Sequence, residues 1–568
     1  MRLAAATAVV SVAAAAYVGG ALGAPANPSG PDVVSPTRAS VIHRVKGQRP
    51  PVHISVREQR ELVERHLDAR EALDARSNPA GAAVQPGAPT PEGPPVDGGP
   101  EPVNARAGSP STVELARSAR ASAGGTLIRR NVRNTVSDDN ELSVNKVLLL
   151  NEPAAANDAG EVLYLGNTYG SRSANLGKDW VPDGLPGGPA QAPLACCDAD
   201  VVHHRSLDTT FSVYLYTNSN LTRGVATIGV RKGTIGGGID CLYDIDPGTN
   251  RVPDYPHIAV TGKYLYLATN EINSQGTASN TDDTWAGGAM RRFDATQMAN
   301  CGGSVPTNLF RYGPTGTTTG PRTFVPIENS PSTMYWGAIN DGSRFRLFRW
   351  SATSDSVNQY VRALPNPSTF ANSDCRGGIG NFDWIERSTA FTNSGFRLRG
   401  AYVPATSTEP AKLWFVWNAA ADATHSQAYV DSVIIRASDR VVIGGPEIRN
   451  SGLCLGFPTI SGNANGDFAL TVAGGGRAGG GGAPVEGYVS VDDESTSGTR
   501  FSSLTKTARG THNIEDERFG DYFTIRKDDR CPLAWVATNY AFLRGNTSSA
   551  HVNSRYVEFG SASDSGCF

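Results

Sequence analysis

Beyond about residue 140 the apolar positions fall in short runs rather than in long stripes. β-branched and aromatic residues cluster over 147–150, 162–165, 211–216, 225–230, 257–260 and 263–268. They recur over 333–339, 344–350, 413–417, 432–435 and 534–538, each run bounded by Gly, Asn, Asp or Pro. Runs this short, many with period-two alternation, predict strands joined by tight turns. No helical pattern of about ten residues interrupts them, which argues against alternating helix and strand layers. Aligned, the runs repeat as a turn-forming loop, a strand, a tight turn, a stronger aromatic strand and an alternating third strand. The repeats open near Asn140, Cys196, Asp254, Thr323, Asp383, Leu455 and Phe519. That spacing predicts an all-β fold, a six- or seven-bladed β-propeller with loop insertions. The last repeat is one strand short, and the segment 126–130 is placed to close the ring from the N-terminal side. A pair of β-sandwiches is the alternative, and it leaves the recurrence unexplained.

The pattern before residue 126 differs. Residues 1–26 carry Arg2, an Ala/Val-rich run to Tyr17 and small residues up to Ala26, the three parts of an export signal. A transmembrane helix is the competing reading, but the run is short, broken by Gly19 and Gly20, and lacks a basic stop-transfer flank. Residues 27–125, rich in Pro, Gly, Ala and charge, read as a mostly disordered leader. Strong helix formers over 56–73, with Leu62, Val63 and Leu67 near helical spacing, predict one short helix inside it. A propeptide and a cell-wall spacer would share this pattern. The propeller is expected over 126–568.

Composition narrows the partner. The chain has 63 Gly and 36 Pro in 568 residues, as many turns require, and a formal net charge of only −3. Bulk electrostatics therefore point to no nucleic acid and no anionic membrane surface, and a soluble monomer is expected. All eight cysteines (Cys196, Cys197, Cys241, Cys301, Cys375, Cys454, Cys531 and Cys567) follow residue 195, an even set that suggests disulfides of undetermined pairing in an exported chain. Vicinal Cys196 and Cys197 lack the second close pair that a zinc site needs, and His203 and His204 form a lone doublet. No metal ligand and no cofactor is assigned. Ca²⁺ at Asp492, Asp493 and Glu494 is the one alternative, against the simpler reading of an exposed turn. Nucleophile-elbow, His-Glu-x-x-His zinc and phosphate-loop patterns are missing; the Gly-rich stretch 474–482 reads as an inter-strand loop.

Ser173, Asn175, Gly177, Asp179 and Trp180 resemble a degenerate Asp box. In such a turn an Asp or Asn caps backbone amides, Gly takes a positive φ and Trp packs between strands. Together with Asn151-Glu152-Pro153, Cys196-Cys197-Asp198, the 254–260 segment and Arg518–Tyr522, this pattern is similar to an exported branch of the sialidase-like (BNR, Asp-box) propeller superfamily. The resemblance covers about 140–568. It implies a propeller. The three-arginine cluster and Tyr-Glu pair of catalytic sialidases have no clear counterparts here, although Arg322, Arg376 and Arg518 precede strands.

Residues opening the inner strands of a propeller converge at one mouth of its channel. Asp198, Asp200, Asp254, Tyr255, His257, Arg376, Asp383, Trp384, Arg518, Asp521 and Tyr522 are therefore the candidate site. Arg518, Arg376, Tyr255, Trp384, Asp198 and Asp383 would bind a glycan or polysaccharide, through charge, hydrogen bonds and ring stacking. Hydrolysis needs two carboxylates, for which Asp254 and Asp521 are the choice; lyase chemistry on a uronate would use His257 or Tyr522 as base, with Arg518 neutralising the carboxylate. The bland alternative has the aspartates capping turns and the tyrosines packing between blades. Two functions stay open: an exported glycoside hydrolase or polysaccharide lyase, and a non-catalytic binding or scaffold propeller.

Overall fold

The computed structural model describes residues 33–49 except 39 and 47, and 125–562 except 139–150, 168, 275–283, 313–322, 340–342, 366–373, 386–397, 493–503, 514–518, 520–521 and 547–548. The export-signal segment, the 56–73 helix and the strand at 147–150 lie outside the described residues. What is described is a seven-bladed β-propeller.

Blade 1 runs Ala154–Asp158, Glu161–Leu165, Gly170–Ser173, Val181–Asp183, and blade 2 runs Leu194–His204, Thr209–Thr217, Gly224–Lys232, Cys241–Ile245. Blade 3 comprises Arg251–Val260, Tyr264–Asn273, Thr284–Asp294 and Ser304–Tyr312. Blade 4 comprises Met334–Ile339, Arg344–Trp350 and Ser356–Ala363, its inner edge completed by a bridge from Pro326 to Trp336. Blade 5 consists of Arg399–Val403, Lys412–Ala419, Tyr429–Arg436 and Val442–Gly444; blade 6 of Cys454–Gly462, Phe468–Gly475, Glu486–Asp492 and Thr505–Ala508. Blade 7 takes Ile525–Lys527, Trp535–Asn539 and Arg555–Ser561 from the C-terminus and Thr126–Arg133 from the N-terminal side. The ring therefore closes by antiparallel pairing of chain segments more than 400 residues apart, Arg555 opposite Arg133 and Ser561 opposite Thr126.

The opening expected near Asn140 lies outside the described residues, and the first described strand of blade 1 is Ala154–Asp158. One expected blade opening is displaced: blade 5 begins at Arg399 rather than Asp383. Asp383 instead ends a hairpin, Arg376–Gly377 with Phe382–Asp383, inserted before blade 5. A turn-forming Asp marks both situations alike, so local sequence could not separate them. Within the segment read as a leader, three short strands lie on outer blade edges. Val33–Arg38 pairs with blade 4, Ser40–Lys46 with blade 3 and Gln48–Arg49 with blade 2.

The second and third strands of the blades explain why the period-two pattern is muted. Thr209–Thr217, Lys412–Ala419, Phe468–Gly475 and Glu486–Asp492 are buried at every residue. Each blade is covered on both faces by its neighbours, so a strand inside it meets no water on either side. Aromatics fill the wedge between blades: Trp336 stacks on Phe348 at 5.2 Å, and Phe345 packs on Phe415 of the next blade at 4.8 Å. Each such side chain contributes about 1.5–3 kcal/mol on burial.

The Ser173–Trp180 turn has the expected construction. Asn175 Oδ1 accepts from the Asp179 N–H at 2.9 Å, Gly177 has φ +81°, and Trp180 packs edge-on against Tyr164 and Tyr556. Disulfides Cys241–Cys301 and Cys375–Cys454 tie blade 2 to blade 3 and the inserted hairpin to blade 6. Cys197 and Cys531 are also disulfide-bonded. Among the described residues no helix is long and apolar enough to cross a membrane.

Candidate functional site

The inner strands run side by side in one direction. The Tyr255 N–H donates to Asp198 Oδ2 at 3.0 Å and, further on, the Ile258 N–H donates to Asp200 Oδ2 at 3.0 Å. Glu328 bridges Ala401 in parallel register, while the Ala155 N–H donates to Thr524 Oγ1 and Asn157 Nδ2 to Asp528 Oδ1. The channel therefore has a strand-opening mouth and a strand-closing mouth.

Between them lies a buried chain of charge. Arg399 Nη1 approaches His257 Nε2 at 2.7 Å, and His257 Nδ1 lies 3.5 Å from Asp200 Oδ2. Asp200 Oδ1 accepts from Arg526 Nη2 at 2.7 Å, and Arg526 Nη1 donates to Glu328 Oε1. An arginine can only donate, so the facing His257 Nε2 accepts and the ring proton sits on Nδ1, toward Asp200. Burial and then the Arg399 charge push His257 down to about 3, so the ring is neutral at ordinary pH. Burial alone would raise Asp200, but the Arg526 guanidinium, His257 and the Ile258 N–H together hold it below its usual value.

Glu328 behaves oppositely. Burial, helped by the nearby Asp200 charge, raises it to about 7 although Arg526 and Arg399 counteract. The guanidinium of Arg526 is shared, its Nη1 on Glu328, its Nη2 on Asp200 and its Nε on the Val201 carbonyl. Two carboxyls thus share one arginine and hold opposite protonation states near pH 6, the condition that separates an acid from a base. A small void of about 10 Å³ touches Asp200, His257, Glu328, Arg399 and Arg526, about the space of one water probe.

Toward the strand-opening side the chain is capped by aromatic rings. His257 lies 4.4 Å from Tyr255 and 4.6 Å from Tyr522, and the Arg399 guanidinium sits 5.2 Å and 5.5 Å over the same two rings. Tyr522 donates its hydroxyl to the Pro256 carbonyl at 3.0 Å. Asp198 holds the Tyr255 amide, and Tyr255 takes φ 51° at the bulge between Asp254 and His257.

Toward the strand-closing side the same chain opens into a cavity of about 480 Å³, at the ends of the inner strands of blades 1, 2, 3 and 7 and beside Glu328. Asn157, His204, Asn329, Arg526, Lys527 and Asp529 are among its polar walls, and among the described residues no Phe, Tyr or Trp ring lines it. Lys527 is lowered by burial and by the Arg205 charge. At the rim Asp158 is raised to about 6, by burial first and then by Asp208, Asp529 and Glu161.

Of the residues singled out from sequence, the fold gathers Asp198, Asp200, Tyr255, His257 and Tyr522. Asp254 is half-buried in the blade 3 inner strand, opposite Asn270. Arg518 and Asp521 lie outside the described residues, and with them the Asp254–Asp521 pairing. Arg376, Asp383 and Trp384 belong to the inserted hairpin: Arg376 pairs with Asp374, Asp383 accepts from the Cys375 and Ile385 amides, and Trp384 is fully buried with Nε1 on the Gly475 carbonyl. A ring so enclosed offers no face for a sugar. Asp492 is fully buried, and Asp493 and Glu494 lie outside the described residues. Glu328, Arg399, Arg526 and Lys527 were not singled out. Their signal was an ionisable residue inside a short apolar inner strand, as in 325–328 and 523–527.

No family model matches the sequence, and no curated protein is similar to it at a significant level. Solved structures do resemble the fold. An α-L-arabinanase of Penicillium chrysogenum complexed with arabinobiose is 11% identical at TM-score 0.36, covering 77% of this chain and 99% of that one. The NanB sialidase of Streptococcus pneumoniae is 7% identical at TM-score 0.34, covering 74% and 70%. The six-bladed fucose lectin of Aleuria aurantia is 9% identical at TM-score 0.29, covering 62% and 95%. At such identities and TM-scores, function has to be read from the site's own residues.

Proposed function

We propose that this chain is an exported carbohydrate-active propeller, a glycoside hydrolase or polysaccharide lyase, working at the strand-closing mouth of the channel with Glu328 as its proton-transferring group. The observation that carries the reading is the state of Glu328: a carboxyl raised to about 7, at the boundary between an ionised Asp200–Arg526 pair and a cavity of about 480 Å³. Such a carboxyl can give a proton to a leaving oxygen near neutrality and take one back afterwards. The cavity has the volume of a small-ligand site. Its amide, hydroxyl and charged walls suit a polyhydroxylated or acidic sugar held by hydrogen bonds and charge rather than by ring stacking, with Lys527 and Arg526 as cations for a uronate.

One observation favours the second reading, a binding propeller. Asp200, His257, Arg399 and Arg526 are all paired within the protein, as a rigid floor beneath a bound ligand would be. Release of product from a panel of neutral and uronate polysaccharides, compared between wild type and E328Q with binding measured in parallel, separates the two. Turnover lost in E328Q with binding retained supports the acid role. Turnover unchanged in E328Q removes it, and binding without turnover in wild type leaves the binding propeller.

A further inference from the structure

The geometry points to a divalent transition-metal site formed by Asp158, His203 and Asp208, at the rim of the cavity between blades 1 and 2. The site stands independently of the glycan reading.

Asp158 ends the inner strand of blade 1, and His203 is the penultimate residue of the inner strand of blade 2. Asp208 follows the short 3₁₀ turn Arg205–Leu207 in a left-handed conformation, φ 47° and ψ 54°, which returns the chain toward the strand end. One ligand atom from each residue lies within 4.8 Å of the others. A divalent ion bound at about 2 Å from each atom fits inside that spacing with small side-chain adjustments.

His203 supplies the observation that a cluster of acids alone would lack. Its side chain is only 5% exposed. Nδ1 lies 3.0 Å from Thr210 Oγ1, which orients the ring, and Nε2 points to Asp158 Oδ1 at 3.9 Å, beyond hydrogen-bond reach. With Nδ1–H donated to Thr210, Nε2 presents a lone pair into a space bordered by carboxylates, the arrangement of an imidazole ligand held by an outer hydroxyl. Asp529 adds a further carboxylate close by, bonded at 3.3 Å to the exposed Arg205. One imidazole with two carboxylates suits Zn²⁺ or Mn²⁺, whereas Ca²⁺ prefers an all-oxygen set. Asp208 is exposed, so the ion would keep a position open to water or to a ligand oxygen entering the cavity.

The test uses the full chain after dialysis against chelator, titrated with Zn²⁺, Mn²⁺ and Ca²⁺ by calorimetry, and with Co²⁺ by visible absorption. One Zn²⁺ per chain is expected, tighter than Ca²⁺, with a Co²⁺ spectrum of nitrogen–oxygen ligation. H203A and D158N should abolish both signals. T210V, which keeps every ligand, should weaken binding by about tenfold or more and serves if either ligand variant fails to fold. Absence of stoichiometric binding overturns the proposal, as does Zn²⁺ binding that folded H203A and D158N leave unchanged.

Discussion

Replacing Glu328 by Gln should flatten one segment of the stability–pH profile. In the folded chain this carboxyl is raised from 4.5 to about 7 by burial, against the opposing charge of Arg526 and with the Asp200 charge adding to the rise. Between those two values the folded state keeps its proton while the unfolded chain gives it up. Stability then falls as pH rises, by about 3 kcal/mol at about 1.4 kcal/mol per pH unit. Because the side chain keeps 12% exposure at the cavity, about 3 kcal/mol is an upper bound. Glutamine is close to isosteric with the protonated acid and does not titrate. Urea unfolding of wild type and E328Q from pH 4.5 to 8 measures the difference directly. Wild type should lose about 2–3 kcal/mol relative to E328Q across that range, with most of the loss complete by about pH 7. A flat difference, or one growing in favour of wild type as pH rises, would refute the placement of Glu328 as a buried, largely protonated acid. Background titrations elsewhere cancel because both proteins share them.

His257 should act in the opposite sense. Its folded value of about 3 lies below the unfolded 6.5, so the unfolded chain takes up a proton first and stability is lost as pH falls from about 6.5 toward 3, by roughly 5 kcal/mol. H257N should shed that acid limb in the same unfolding series, and an unchanged limb would show that His257 is not its source. R526M removes the countercharge shared by Asp200 and Glu328 and should cost about 3–5 kcal/mol in chemical denaturation; a loss below about 1 kcal/mol would mean that the network relaxes or hydrates. The paired change C375S with C454S opens a link across 79 residues and should lower stability by about 4 kcal/mol on the chain-entropy estimate. Calorimetry in non-reducing buffer checks it, and an unchanged melting temperature would remove the hairpin staple from the account.

Much of the architecture was legible along the chain because turn chemistry and strand length are local properties. Short β-branched runs bounded by Gly, Asn, Asp and Pro, recurring at blade spacing, defined an all-β repeat, and the missing last strand pointed to 126–130 as the closure. The Asn175, Gly177 and Trp180 pattern described its turn correctly, since a side-chain cap, a positive φ and a packed ring all act within eight residues. Blade number and blade 5's opening were not legible, because Asp383 in an inserted hairpin has the same local signature as an Asp opening a blade.

The site divides along the same line. His257, Asp200, Tyr255 and Tyr522 could be singled out because a polar or aromatic residue at a strand opening stands out from its neighbours. Their partners Arg399, Arg526 and Glu328 come from three other blades, and nothing within any one strand shows which charge will face which across the channel. Even the mouth that holds the cavity depends on how far the inner strands extend and which ends the tyrosines fill. Protonation states follow from that assembly: burial and the neighbouring Asp200 charge raise Glu328 against the shared guanidinium, while the same guanidinium, with His257 and the Ile258 N–H, holds Asp200 low against burial; in the unfolded chain the two residues titrate within about half a pH unit. The sequence by itself thus determined the repeat and its turns, which depend on neighbours along the chain. Only the closed ring decided which charges meet out of water, where Coulomb forces and desolvation are strong enough to make a carboxyl an acid.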